Sequence, residues 1–220
     1  MSRRKLIGPR RLCDGCVVTL LAVAVTSVAC SSSTPPSAGF WYEEGAFALP
    51  DEITARLGGP LQSDEMLAIK RVSTAELERA FSGLRITVSG RRDSYWRVGV
   101  VAVLPNPGSL PSAGQSLSLG VLGGSGWLGF RTLALIAIDR APPGTSRQAV
   151  IEAMARGIGR AAAHEFAHQI LGRGLPEDRA DPNSYEYFTS DRQAQFYGEL
   201  RWNSALPLLQ QKLGASSRSK

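Results

Sequence analysis

Two histidines occur in the 220 residues, and they stand four apart, as His164 and His168, with Glu165 directly after the first. Random placement gives that spacing roughly once in a hundred arrangements, and requiring the glutamate lowers this about tenfold further, so the cluster reads as chemistry. On a helix, positions i and i+4 share one face, and both imidazoles can reach a single ion at about 2.0–2.1 Å. Glu165 lies about 100° further round, beside the ion rather than on it. There its carboxylate can take a proton from a water that the ion has acidified. The pattern suits Zn²⁺, which accepts imidazole and carboxylate ligands and keeps one position open where it is catalytic.

A catalytic zinc takes three protein ligands, and the chain holds no third histidine, so a carboxylate must complete the set. Asp178, Asp181, Glu186, Asp191 and Glu199 are the candidates. Asp178 and Asp191 read equally well as loop charge and helix N-terminal charge, and Glu199 as a solvated helix residue.

The pentad His164-Glu165-Phe166-Ala167-His168 resembles the signature of the zincin metallopeptidases. That resemblance implies an α+β fold in which a helix and a twisted mixed sheet precede a long active-site helix. It also implies an edge strand that holds an extended peptide, and zinc-dependent peptide-bond hydrolysis with Glu165 as general base. The continuation His168-Gln169-Ile170-Leu171-Gly172-Arg173-Gly174 departs from the metzincins, whose third histidine is absent here, and no methionine follows the motif. Aspzincins use an aspartate in the loop after the helix, followed closely by a tyrosine. Asp181 with Tyr185 is similar and makes Asp181 the expected third ligand. Gluzincins use a later glutamate, for which Glu186 is the alternative. Some zincins let a tyrosine donate to the tetrahedral oxyanion, a role open to Tyr185 or Tyr187, with aromatic packing as the alternative.

The histidine helix must span Thr145 to Gly172. Thr145 and Gln148 have capping-box spacing, Val150, Ile151, Met154 and Ile158 recur at helical spacing, and Gly172 is a natural stop. Gly157 and Gly159 imply close backbone packing or a bend. Upstream, residues 74–84 predict a helix, with Leu77, Phe81 and Leu84 at core spacing. Strand composition marks Arg85 to Val88 and Arg97 to Leu104, and Thr132 to Ile138 reads as a buried strand. The Gly-interrupted segment Ser116 to Leu122 is taken as the edge strand that the resemblance calls for. Downstream, Ser190 and Gln193 cap a predicted helix from Asp191 to Trp202, and Phe196, Tyr197, Trp202 and Leu206 supply core to a helical C-terminal part.

The formal charge is +6, but Arg3, Arg4, Lys5, Arg10 and Arg11 against Asp14 place +4 of it in residues 1–29, leaving +2. No nucleic-acid partner is therefore expected. The basic stretch precedes an apolar run, Val17 to Ala29, which covers about 20 Å as a helix against a bilayer core of about 30 Å. This is the layout of a signal peptide over 1–29. Ser27-Val28-Ala29-Cys30 resembles a bacterial lipobox, with Ser27 where an aliphatic residue is preferred. It also fits small-x-small cleavage and soluble secretion. Cys13-x-x-Cys16 falls inside the leader, where no catalytic role is expected. Residues 30–39 form a Ser/Pro tether, 40–214 one zincin-like domain and 215–220 a disordered tail.

The sequence thus points to an exported zinc endopeptidase of the cell envelope, membrane-anchored through lipidated Cys30 and acting on a peptide or protein. Two alternatives stand beside it. One is a non-catalytic surface lipoprotein with a structural or decayed metal site that serves as a binding module. The other is a metal-dependent amide hydrolase acting on cell-wall material.

Overall fold

Among the described residues of the computed structural model the longest element is the helix that carries both histidines, Arg147–Leu171. The structure describes residues 35–104, 113–118 and 123–216, so the leader, Cys30 and the first part of the tether lie outside the described residues. In chain order the elements are β1 (Ser37–Tyr42), α1 (Asp51–Leu57), α2 (Ser63–Ala80), β2 (Thr87–Ser89), β3 (Trp96–Val101), β4 (Gly114–Ser118) and β5 (Gly124–Gly129). They continue with α3 (Phe130–Asp139), the histidine helix α4, α5 (Gln193–Tyr197) and α6 (Ala205–Leu213). The architecture is mixed α/β, consistent with the expected α+β class.

Five strands form one sheet in the order β2-β1-β3-β5-β4. Neighbours run parallel except β4 and β5, which are antiparallel and pair Gly114 with Leu128 through Ser118 with Gly124. The segment expected at the edge is therefore an edge strand over Gly114–Ser118, and residues 119–122 lie outside the described residues. Alternation sends Ala38, Phe40, Trp96, Val98, Val100 and Leu128 into the core. Helix α4 crosses β3, β5 and β4 on that side and packs along α2.

Two glycines set how closely α4 is embraced. A Cβ on Gly159 would lie 2.3 Å from the Ser73 carbonyl oxygen of α2, and one on Gly157 would lie 2.2 Å from Phe196 Cε1. The close packing expected at these glycines is present. Between them and the histidines, Arg160 is buried with Glu76: Nε donates to Oε2 at 3.1 Å, and Nη1 donates to the carbonyls of Ala194 and Gln195.

Several expected boundaries move. Thr132 to Ile138 is not a strand but most of α3, with Leu133, Ala134 and Ala137 buried at helical spacing. A short apolar run has no period that separates strand from buried helix. Helix α2 begins at Ser63 because Gln62 and Glu65 form a capping box there, and it ends at Ala80. Ser146, not Thr145, caps α4, its Oγ accepting from the Ala149 amide at 3.2 Å. The helix expected to reach Trp202 stops at Tyr197. Beyond Gly198 the chain runs back along 183–185, with the Arg201 amide bonded to Asn183 and its carbonyl to the Tyr185 amide. At the two ends, β1 starts at Ser37, and Ala215 and Ser216 are tied to Leu84 and Gly83 rather than frayed.

Candidate metal centre

The site is built on the last two turns of α4. His164 and His168 project from one face with their Nε2 atoms 3.0 Å apart and their rings nearly perpendicular. His164 Nδ1 lies 2.8 Å from the Tyr185 carbonyl oxygen. A carbonyl only accepts, so Nδ1 carries the proton and the Nε2 lone pair is left for a ligand. Burial, followed by the neighbouring His168, pushes His164 down from 6.5 to about 4. His168 is also lowered by burial, with Glu177 opposing. Both rings are thus held neutral at physiological pH, the form that binds a metal.

The carboxylate that joins them is Glu177. Its Oε1 is 3.7 Å from His168 Nε2, and the ligand atoms of His164, His168 and Glu177 all lie within 4.8 Å of one another. Around a tetrahedral ion with bonds of about 2.0–2.1 Å, ligand atoms sit about 3.3–3.4 Å apart. Two of the three separations, 3.0 and 3.7 Å, lie close to that value, and with all three ligand atoms within 4.8 Å of one another the group could hold a metal ion after a small closing shift. Two imidazoles and a carboxylate suit zinc and other late first-row divalent ions. The loop after α4 delivers Glu177 through a 3-10 turn at Gly172–Gly174 and Pro176. A ladder then fixes it, with the Asp178 amide on the Glu186 carbonyl at 2.9 Å and the Phe188 amide on the Asp178 carbonyl at 3.0 Å. His168 and Glu177 are 30% and 45% exposed as side chains, so the cluster is open to an incoming molecule on that side.

Glu165 is buried beside the cluster, and burial, with a smaller contribution from the Glu177 charge, pushes its carboxyl up from 4.5 to about 8. It lies against the edge strand. Gly114, Ser116 and Ser118 share the face of β4 turned to α4. Ser116 Oγ donates to the Glu165 carbonyl at 3.2 Å, and Ser118 Oγ to the Gln169 carbonyl at 3.1 Å. Two strand residues advance about 6.6 Å and four helix residues about 6.0 Å, so this pairing is geometrically matched and locks the strand to the helix. Gln169 completes the contact. Its amide oxygen accepts from the Arg97 amide at 3.0 Å and its Nε2 donates to the Arg97 carbonyl at 2.9 Å. Gly124 leaves the room this side chain needs, since a Cβ there would lie 2.5 Å from Gln169 Cγ.

The other expected site residues are engaged elsewhere. Asp181, the expected third ligand, accepts from Asn203 Nδ2 at 3.0 Å and pairs with Arg201 at 2.9 Å. Its carboxyl is lowered, first by Asn203 and then by the Asn183 amide. Glu186 is buried and caps the start of α6, accepting from the amides of Asn203, Ser204 and Ala205 at 2.7, 3.1 and 2.7 Å. Asp178 holds the amides of Ala180 and Asp181, Asp191 pairs with Arg140, and Glu199 is exposed. The Tyr185 ring is buried in the core against Trp202 at 4.9 Å, and its contact with His164 is made by the backbone carbonyl. Tyr187 stacks on the Arg192 guanidinium. Glu177 is not among the expected ligands, because the resemblance to aspzincins and gluzincins points to Asp181 and Glu186, further along the chain. The signal available was its position as the first carboxylate after the helix.

No protein-family model matches this chain, and no curated protein matches it.

Proposed function

We propose that this protein is a zinc-dependent peptidase, with His164, His168 and Glu177 as the metal ligands and Glu165 as general base. One observation carries the reading: the three ligand atoms converge within 4.8 Å while Glu165 stands next to them, between α4 and the edge strand. Among the described residues only three groups converge, which is the count of a catalytic zinc rather than of a closed structural one. The ion, when bound, would polarise the scissile carbonyl and lower the pKa of water.

The protein's own groups do the rest. Nδ1 of His164, tied to Tyr185, keeps that ring in the ligating tautomer. Burial alone keeps Glu165 protonated at neutral pH; the charge of a bound cation beside it would favour the carboxylate, which can then take the proton of the attacking water and pass it to the leaving amine. The edge strand β4, pinned to α4 by Ser116 and Ser118, offers an extended template alongside the cluster for a peptide substrate. Among the described residues no helix is long and apolar enough to cross a membrane. We place the enzyme at the cell envelope on the strength of the leader and the lipobox-like Cys30.

Glu165→Gln separates the steps. The amide is nearly isosteric, so bound zinc should stay at the parental level while turnover on a quenched-peptide library falls about 10²–10⁴-fold. Parental turnover in this variant would rule out the mechanism.

A further inference from the structure

The carbonyl that orients His164 belongs to a stretch, residues 182–189, with no regular secondary structure of its own. Such a segment needs an anchor if it is to present one carbonyl reliably. Arg192 supplies it. The side chain is buried, and its guanidinium is spread over three main-chain carbonyls of this stretch. Nε donates to Pro182 at 2.6 Å, Nη2 to Ser184 at 2.8 Å, and Nη1 to Thr189. Its Cζ also sits over the Tyr187 ring, 4.8 Å from the ring centroid. Those carbonyls fall on both sides of Tyr185. The same stretch contributes Glu186 and Phe188 to the ladder with Asp178, the residue next to Glu177. One guanidinium thus braces the supports of two of the three ligands.

A buried cation is costly unless its donors are satisfied, and a planar fork of donors can meet several carbonyls at once where an ammonium cannot. We propose that Arg192 is a positioning residue for the metal centre: by gathering the carbonyls of Pro182, Ser184 and Thr189 it holds residues 182–189 in the shape that presents the Tyr185 carbonyl to His164 and the ladder to Asp178. This rests on the metal-centre reading above.

The test uses the full chain with Zn²⁺ alone as probe, in competition with a chromophoric chelator. Arg192→Gln should bind zinc about 10–100-fold more weakly, the usual effect of losing an outer support, and Arg192→Lys should fall between. A purely structural staple would leave the histidine tautomer untouched, so ¹⁵N spectra of the metal-free protein give the second readout, with His168→Asn assigning the two rings. The parent should show His164 as the single Nδ1–H tautomer and Arg192→Gln a mixture of both. Parental affinity and a single tautomer in folded Arg192→Gln overturn the proposal. Should that variant not fold, the same two measurements on Arg192→Lys decide, and parental values in both overturn it. A parent that binds no zinc refutes the metal centre instead, and the tautomer comparison then judges Arg192 alone.

Discussion

A Cβ placed on Gly114 would lie 2.4 Å from Oε1 of Glu165 and 2.8 Å from Leu128 Cδ2. The edge strand therefore touches the proposed general base at a position where an added side chain would force the Glu165 carboxylate to move. Gly114→Ala should push the Glu165 carboxylate aside while leaving both histidines where they are. The expected result is at least about a tenfold loss of turnover at parental zinc affinity, a small misplacement of a catalytic group being costly. Peptide cleavage and chelator competition on the same preparation check it, and unchanged turnover would show that the carboxylate does not act from this position.

Glu177 and Asp181 make opposite predictions for metal binding. Glu177→Gln removes a ligand and should weaken zinc binding by about 100-fold or more, beyond the usual effect of an outer support. Asp181→Asn alters a group already bonded to Asn203 and Arg201, and should leave affinity within a few-fold of the parent. The reverse pattern would return the third-ligand role to Asp181.

How far the sequence revealed this site depends on the range of the interactions involved. The helix from residue 147 to 171 was legible because apolar spacing and Gly172 are local signals, and so was the face shared by His164 and His168; its cap was read one residue early, at Thr145 instead of Ser146. The sheet edge near residue 116 was approximately legible. Its register with α4 was not, because it is set by Ser116 and Ser118 meeting carbonyls some fifty positions away. Glu177 escaped for a similar reason: the ladder that fixes the loop pairs Asp178 with residues 186–188, a contact that no local pattern encodes. Helix α3 was read as a strand because Thr132 to Ile138 is apolar nearly throughout, and only packing decides such a run.

Metal-free protein should be less stable than its Glu165→Gln variant at neutral pH. Burial and the Glu177 charge raise the folded-state pKa of Glu165 from 4.5 to about 8. Between those values the folded state holds a proton that the unfolded chain has lost, so the stability present below pH 4.5 is given up as pH rises through the window. Glutamine has no proton to lose. The gap at pH 7 should be on the order of 1–3 kcal/mol in favour of the variant, shrinking towards pH 5. Calorimetry in the presence of chelator measures it, and parallel pH profiles for the two proteins would refute the buried-carboxyl account.

Cys30→Ala addresses the anchor independently of the catalytic site. If Cys30 carries lipid, the substitution should abolish metabolic labelling with a fatty acid and move the protein from the membrane fraction to the soluble one. A parent that is already soluble and unlabelled would favour ordinary signal-peptide cleavage.

Gly159→Ala should damage the fold without touching the chemistry. The added methyl would sit 2.3 Å from the Ser73 carbonyl oxygen and 2.8 Å from Glu76 Cβ, so α2 and α4 must separate. Backbone cannot swing away as a side-chain tip can, and overpacking of this kind costs about 1–3 kcal/mol. Alanine recovers at most about 1 kcal/mol in helix propensity, so the net effect is destabilising. The shift also loosens the buried pair of Glu76 with Arg160, whose charges are expensive to leave unmatched. For a domain of this size Tm should fall by about 2–4 °C for each kcal/mol lost. Position 159 is five residues from His164 and one helix turn from Ala163, so the cluster itself is not contacted. Below its lowered Tm the variant should bind zinc and cleave peptide at parental levels. A loss of zinc affinity in the folded variant would show instead that the α2–α4 spacing is transmitted to the histidines.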